Sequence, residues 1–275
     1  MKRISLGLIL MAMFLCGCGQ DQYAIERDYW RVNKQAQAIF KNPVATPANE
    51  VERVVALLNK FASSHENNTL AVRAEFSIGK IYLAKAMHDR AREQFDAIIK
   101  KYAESAAVVS ESMFFIGSSY QLQDNADAAV AQYRKIMSKF PLSPRGLLMP
   151  KYIAQYYASR HEPVKMQEAY KQAISHYESL AQKNMKSSLA LRSYTLIAEC
   201  YAGLKDWKQS IAALETIISN FRDRGQMDAV LLNIAVIYRR ELNDAVKANE
   251  TLERLLKDYP ESRYAKTAQE LLKKK

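Results

Sequence analysis

Histidine and cysteine are the residue types of this chain best suited to chemistry, and both are scarce. The four histidines are His65, His88, His161 and His176, and no pair of them has the short spacing typical of metal ligands on one element. Glycine-rich phosphate loops, GxSxG elbows and HExxH motifs are absent, and the carboxylates are scattered over polar helix faces. We therefore predict no metal, no cofactor and no catalytic residue, so the chain is not expected to be an enzyme.

The sequence does predict one covalent modification, the attachment of lipid near the N-terminus. Lys2 and Arg3 precede an apolar run of about a dozen residues, which is too short to span a bilayer but fits the hydrophobic part of an export signal. The run ends in Leu15-Cys16-Gly17-Cys18, which resembles the bacterial lipobox. This resemblance implies that residues 1–17 are a lipoprotein signal peptide and that Cys18 carries acyl chains such as palmitate. An ordinary secretory signal cut nearby is the alternative.

A lipid on Cys18 would decide where the protein lies. Several buried acyl chains hold a protein stably at a membrane, and residues 18–23 would then form a lipidated tether. The next residue is Gly19 rather than Asp, which in enterobacterial-type sorting implies the periplasmic face of the outer membrane. Cys200 would have no partner for a disulfide, and its apolar neighbours predict a buried thiol.

The charge balance indicates which partners the chain could bind. The sequence has 40 Lys and Arg against 29 Asp and Glu, a formal net charge of +11. An anionic membrane, an acidic protein or a cell-wall polymer would suit such a surface, and for an exported chain we expect no nucleic acid. The alternative is that the basic side chains only form a solvated surface on the helices.

The elements that carry these residues are predicted to be helices. Only 8 glycines and 7 prolines occur in 275 residues, and from Tyr23 onward apolar residues recur with helical spacing in paired segments. Residues 24–68 form a degenerate helical pair, and residues 69–275 form a repeat region. The third repeat is expected to have a long second helix at about 163–183, and a short helix near 262–273 to cap the C-terminal end.

The repeat itself has a fixed pattern of small and aromatic residues. Gly79, Tyr82 and Ala91 recur at the same offsets as Gly117, Tyr120 and Ala129. These offsets resemble the tetratricopeptide repeat. The small residues would let the paired helices approach closely, a proline would end the second helix, and the tyrosines would be core. The other repeat-defining residues are Pro141, Tyr157, Tyr201, Tyr238 and Pro260. The fold class predicted is all-α, a tetratricopeptide-like helical-hairpin solenoid of about five to six repeats with a C-terminal capping helix.

A second pattern at the ends of the repeats points to a family. Phe140-Pro141-Leu142-Ser143 and Tyr259-Pro260-Glu261-Ser262 share an aromatic-Pro-x-Ser ending. These endings, with the lipobox and the repeat number, resemble the BamD family of outer-membrane lipoproteins, and also the repeat domain of YbgF-type periplasmic proteins. The resemblance implies a non-catalytic subunit that docks an outer-membrane barrel-assembly protein. Residues 24–63 do not match a BamD first repeat.

The first helices of the repeats are expected to line a partner-binding groove. Its candidate residues are mainly basic and aromatic, which would suit an extended or helical peptide with acidic and apolar side chains. The leading function is therefore a lipid-anchored scaffold for envelope proteins. An adaptor for cell-wall synthesis, Tol–Pal or a pilus is the second hypothesis, and a cell-wall-active enzyme is the third. The groove candidates are Arg73, Phe76, Lys80, Phe114, Lys151, Arg192, Arg239 and Arg240.

Overall fold

A computed structural model describes residues 5–222 and 227–273, with side chains from residue 22 onward. The predicted signal peptide, residues 1–17, and Cys18 lie outside the residues whose side chains are described. The described ranges contain helices and no strand, which confirms the all-α prediction. The helices are α1 (Ser5–Lys41), α2 (Ala48–Ser64), α3 (Thr69–Ala84), α4 (His88–Lys101), α5 (Ala106–Leu122), α6 (Ala126–Lys139), α7 (Pro144–Ser159), α8 (Pro163–Lys183), α9 (Ser188–Gly203), α10 (Trp207–Phe221), α11 (Met227–Arg240), α12 (Ala245–Asp258) and α13 (Ala265–Lys273).

The chain divides into two compact units, Met1–Leu147 and Leu148–Lys275. In the first unit each helix from α2 to α6 packs against the next, and α1 packs against both α2 and α3. In the second unit the same sequential packing runs from α8 to α13. Each unit is thus a stack of helical hairpins of the tetratricopeptide type. The long helix predicted at about 163–183 is α8, and the predicted capping helix is α13, which packs on α12.

The turns inside the hairpins share one geometry. Ala86, Asp124, His161 and Lys205 have φ between 55° and 58°, and each stands seven residues after the small residue of its repeat. In every case its amide donates to the carbonyl three residues before, and the next amide donates to the repeat tyrosine's carbonyl. These are Schellman turns, which satisfy the last carbonyls of the first helix. In the last hairpin the left-handed residue is Asn243, eight residues after Ala235, so this turn has one residue more than the other four.

The repeat glycines lie where two helices of one hairpin touch. A Cβ atom on Gly79 would lie 2.5 Å from Cζ of Phe95, and one on Gly117 would lie 2.4 Å from Cε1 of Tyr133. Both aromatic rings are fully buried. Because ordinary carbon contacts are near 3.5–4.0 Å, neither position has room for a side chain.

The repeat tyrosines are less buried than the sequence suggests. Tyr82 is in the core, whereas Tyr120, Tyr157, Tyr201 and Tyr238 are half-buried. Four of the five rings are covered on one face by a cation, at 4.4–5.6 Å from the ring centroid. The physical reason is that each tyrosine lies at the hairpin end, where its edge reaches water and a basic side chain takes the place of a core neighbour. The cations over these rings are Arg90, Arg92, Lys165 and Lys247.

The aromatic-x-x-Ser endings connect one hairpin to the next. The amides of Ser105, Ser143 and Ser262 each donate to the carbonyl of the aromatic residue three positions before. The hydroxyl of Ser105 accepts from Val108, and that of Ser143 accepts from Gly146. These serines therefore begin the following helix. In the same links α6 ends at Lys139, before Pro141, and α12 ends at Asp258, before Pro260.

Candidate partner-binding site

One face of α3 carries three of the predicted groove residues into a single cavity. Arg73, Phe76 and Lys80 have the i, i+3, i+7 spacing that places side chains on one side of a helix. They line a cavity of about 400 Å³ in the first unit. The opposite wall belongs to α1, and one residue of α5, Glu111, completes it. The α1 wall consists of Tyr29, Asn33, Gln37 and Phe40.

A second cavity of about 520 Å³ continues along the same two helices. It shares Tyr29, Asn33 and Arg73 with the first cavity. The two are therefore neighbouring sections of one open depression, which we call the α1–α3 cleft. Its further lining residues are Gln22, Glu26, Trp30, Thr69 and Leu70.

Helix α1 is the part of this site that the sequence analysis missed. Residues 24–68 were expected to form a degenerate pair outside the groove, yet α1 forms a wall of it. Ala36 and Ile39 of α1 are fully buried, and Val32 packs on the same core. The spacing of these apolar residues is a helical signal that could have indicated α1 packing. The same spacing could not have indicated that α1 packs against α3 as well as against α2.

The lining of the cleft contains two bases, Arg73 and Lys80, and two acids, Glu26 and Glu111. Neither Arg73 nor Lys80 has an ion-pair partner among the side chains that the structure describes. Partial desolvation lowers the pKa of Lys80 below the ordinary lysine value, and nearby Glu111 opposes this shift. Glu111 itself is bound by Arg145, whose Nη2 donates to Oε1 at 2.8 Å. Glu111 is thus paired with Arg145 within the protein, whereas Arg73 and Lys80 have no paired carboxylate among the described side chains.

Aromatic rings form the floor beside these bases. Phe76 lies 6.0 Å from both Phe95 and Phe115, measured between ring centroids. The Lys80 ammonium lies 4.8 Å above the Phe115 ring. Phe114, another predicted groove residue, is instead covered by the Arg145 guanidinium at 3.9 Å. Phe76 therefore offers the cleft an apolar surface, whereas Phe114 is already in contact with a cation.

In the second unit, two of the four predicted groove residues are bound by other parts of the protein. Lys151 forms an ion pair with Glu199 and is only 18% exposed. Arg239 donates to the carbonyl of Leu271 at 2.6 Å and to the amide oxygen of Asn249, so it ties α11 to α12 and α13. These two bases have structural partners that sequence spacing alone does not reveal. The remaining two candidates, Arg192 and Arg240, are exposed.

Residues of the types that bind metal ions are dispersed among the described residues. No group of three or more His, Cys, Asp or Glu side chains among them could hold a metal ion. The histidines lie on separate elements of the chain, and burial lowers the pKa of His176. Cys200 is a buried free thiol, as predicted, and its burial raises its pKa to about 12. Within the part of the chain searched, no helix has the length and apolar character needed to cross a membrane.

A comparison with protein-family models decides the family. The model of the RMD9 middle domain matches residues 51–260. The chain belongs to the RMD9 middle domain family. The match begins within α2 and ends just after α12, so α3 to α12 lie inside the RMD9 middle domain. Helix α1, which forms one wall of the cleft, lies outside it.

Solved structures resemble the chain at low sequence identity. BtubC (BKLC) from P. vanneervenii is 12% identical, covering 85% of this chain and 90% of its own, with a TM-score of 0.45. A tetratricopeptide repeat protein from Parabacteroides merdae is 10% identical, covering 90% of each chain, with a TM-score of 0.40. The TPR2AB domain of yeast Sti1, in complex with pHSP90, is 13% identical, covering 89% and 96%, with a TM-score of 0.37. No curated protein matches this member of the RMD9 middle domain family.

Proposed function

We propose that this protein is a non-catalytic scaffold that binds an extended segment of a partner protein in the α1–α3 cleft. The observation that carries the proposal is the arrangement of Arg73, Phe76 and Lys80. Two bases that pair with none of the described carboxylates flank an aromatic ring on one helix face, and that face opens into the cleft. Such a surface favours a ligand with acidic and apolar side chains.

The α1 wall supplies the second half of the recognition. Asn33 and Gln37 place amide groups along the cleft, and each amide can both donate and accept hydrogen bonds. An extended peptide exposes its own N–H and C=O groups, which these side chains can pair. Phe40 and Tyr29 add apolar area at low conformational cost. The partner segment should therefore be extended, acidic and interrupted by apolar side chains.

The finer part of the proposal concerns location and pathway. The lipobox resemblance supports a lipid anchor on Cys18 and a place on the periplasmic face of the outer membrane. The aromatic-Pro-x-Ser endings support a BamD-like role, in which the partner is an outer-membrane barrel-assembly protein. An adaptor for cell-wall synthesis, Tol–Pal or a pilus would use the same cleft for a different envelope protein.

The test of the cleft is crosslinking in cells followed by affinity capture. A photoreactive residue at Gln37 should crosslink the partner, and Arg73→Glu with Lys80→Glu should abolish that crosslink. Arg192→Glu with Arg240→Glu is the matched control, because it changes charge by the same amount at exposed bases of the second unit. Loss of capture in the control but not in the cleft variant would move the site to the second unit.

The identity of the captured protein tests the pathway. Enrichment of an outer-membrane barrel-assembly protein, lost in the cleft variant, would support the BamD-like role. Enrichment of cell-wall, Tol–Pal or pilus components would instead support the adaptor. The anchor has a separate test, since Cys18→Ala should abolish labelling by a clickable fatty acid. Persistent labelling of that variant would contradict lipidation of Cys18.

A further inference from the structure

Helix α1 has an outer side that its packing against α2 and α3 does not use, and of which only Trp30 also lines the cleft. Tyr23, Arg27, Trp30, Lys34 and Lys41 recur at intervals of three, four or seven residues, which puts them on one face of the helix. All five are exposed. We call these five residues the α1 outer stripe.

The two aromatic residues make this stripe unusual for a surface helix. Tyr23 is 67% exposed and Trp30 is 68% exposed. Trp and Tyr side chains combine an apolar body with a polar tip, and they are enriched at the boundary between a bilayer and water for that reason. Two such rings on the same side of one helix present an apolar surface that the described part of the protein leaves uncovered.

The charges of the stripe have a single sign. Arg27, Lys34 and Lys41 are its charged members, and it contains no acid. The neighbouring Asp28 lies off the stripe and pairs with Arg27 at 3.3 Å and with Arg31 at 3.7 Å. These are exposed pairs, which contribute little and leave the surface positive. Lys34 has no carboxylate partner among the described side chains.

We infer that the α1 outer stripe docks on the headgroups of an anionic bilayer. Bases near such a surface are attracted to its negative potential, and interfacial aromatic rings sit at the headgroup level. The stripe runs over nineteen residues, with about 27 Å of helix between its two ends, so α1 would lie along the membrane plane. Which membrane the stripe meets in the cell rests on the proposed lipid anchor, whereas the attraction of its bases and aromatic rings to an anionic bilayer does not depend on that anchor.

Trp30 is the probe of this docking. The chain has two tryptophans, Trp30 and Trp207, so Trp207→Phe leaves Trp30 as the sole reporter. The full-length protein is reconstituted into vesicles of phosphatidylcholine with and without phosphatidylglycerol, and with brominated acyl chains as quenchers. Flotation of the same vesicles reports whether the protein is membrane-associated at all, and it therefore tests the anchor separately from the docking.

The expected result is a blue shift of Trp30 emission and quenching by brominated lipid, both stronger with phosphatidylglycerol. Arg27→Gln, Lys34→Gln and Lys41→Gln together should lower the ratio of docked to undocked helix about a hundredfold, at roughly fivefold per base. This variant should still float with the vesicles through the anchor. Lys60→Gln, Lys171→Gln and Lys208→Gln remove the same charge from exposed positions of other helices and should change nothing.

The inference fails if floated protein gives the same Trp30 emission and quenching as protein in solution. It also fails if phosphatidylglycerol and the triple Gln variant make no difference to the quenching. Protection of Trp30 by a captured partner protein, but not by vesicles, would overturn the membrane docking and assign Trp30 to the cleft that it also lines.

Discussion

Replacing Gly117 by alanine tests the close approach that defines each hairpin. The new Cβ atom would lie 2.4 Å from Cε1 of Tyr133, more than 1 Å inside an ordinary carbon contact of about 3.5–4.0 Å. Alanine gains about 1 kcal/mol of helix propensity over glycine. Overpacking of a core typically costs about 1–3 kcal/mol, and the Tyr133 ring is fully buried. We therefore expect the upper part of that cost and a net loss of about 1–2 kcal/mol.

A double-mutant cycle isolates the clash. Tyr133→Leu removes the ring carbons that meet the new Cβ, so Gly117→Ala in that background should gain up to about 1 kcal/mol from helix propensity. The coupling free energy between the two substitutions should then be about 2–3 kcal/mol. Urea unfolding followed by circular dichroism measures it, with an unchanged m-value as the check on two-state behaviour. Additive effects, or a stabilised single Gly117→Ala variant, would refute the reasoning.

Three further predictions concern single positions. Cys200 should resist alkylation in the native protein near neutral pH and react fully after denaturation. The reason is that burial raises its pKa to about 12, whereas the thiolate is the reactive form. Rapid labelling of the native protein would contradict this. Lys205→Gly should raise stability by about 0.5–1 kcal/mol in thermal unfolding, because it relieves a φ of 58°, whereas Lys171→Gly in the middle of α8 should lower it by about 1 kcal/mol. Burial lowers the pKa of His176. The stability that its neutral form contributes is therefore present above the unfolded-state pKa of about 6.5 and is lost as the pH falls through the folded-state pKa. A His176→Gln variant should lose that part of the pH dependence of stability.

Local sequence spacing predicted the hairpins well because their determinants are local. The step from Gly117 to Tyr120 and Ala129 lies within one hairpin, and so does the turn at Asp124. In the last hairpin the turn has one extra residue before Asp244, and the left-handed residue moves by one position accordingly. Each of these features depends on contacts inside a single pair of helices.

The candidate site could be predicted only in part because its determinants are distant in sequence. Glu199 neutralises Lys151 from 48 residues away, and the Leu271 carbonyl holds Arg239 from 32 residues away. A helical face can be derived from spacing, but the partner of each charge on it cannot. Lys151 differs from Arg73 and Lys80 only in that a neighbouring helix places a carboxylate beside it.

Helix α1 links the two surfaces proposed here, and this link has a testable consequence. Its buried side includes Ile39, which is 1% exposed, its cleft side includes Gln37, and its outer side is the α1 outer stripe. Because α1 packs mainly on α2 and α3, it can loosen without unfolding the rest of the stack. Ile39→Ala should cost about 2–5 kcal/mol and Ile39→Val about 0.5–1.5 kcal/mol. We expect Ile39→Ala, but not Ile39→Val, to speed amide exchange in α1 and to weaken partner capture, although no cleft residue has changed. Undiminished capture by a variant whose α1 exchanges freely would mean that α1 is not a wall of the binding site.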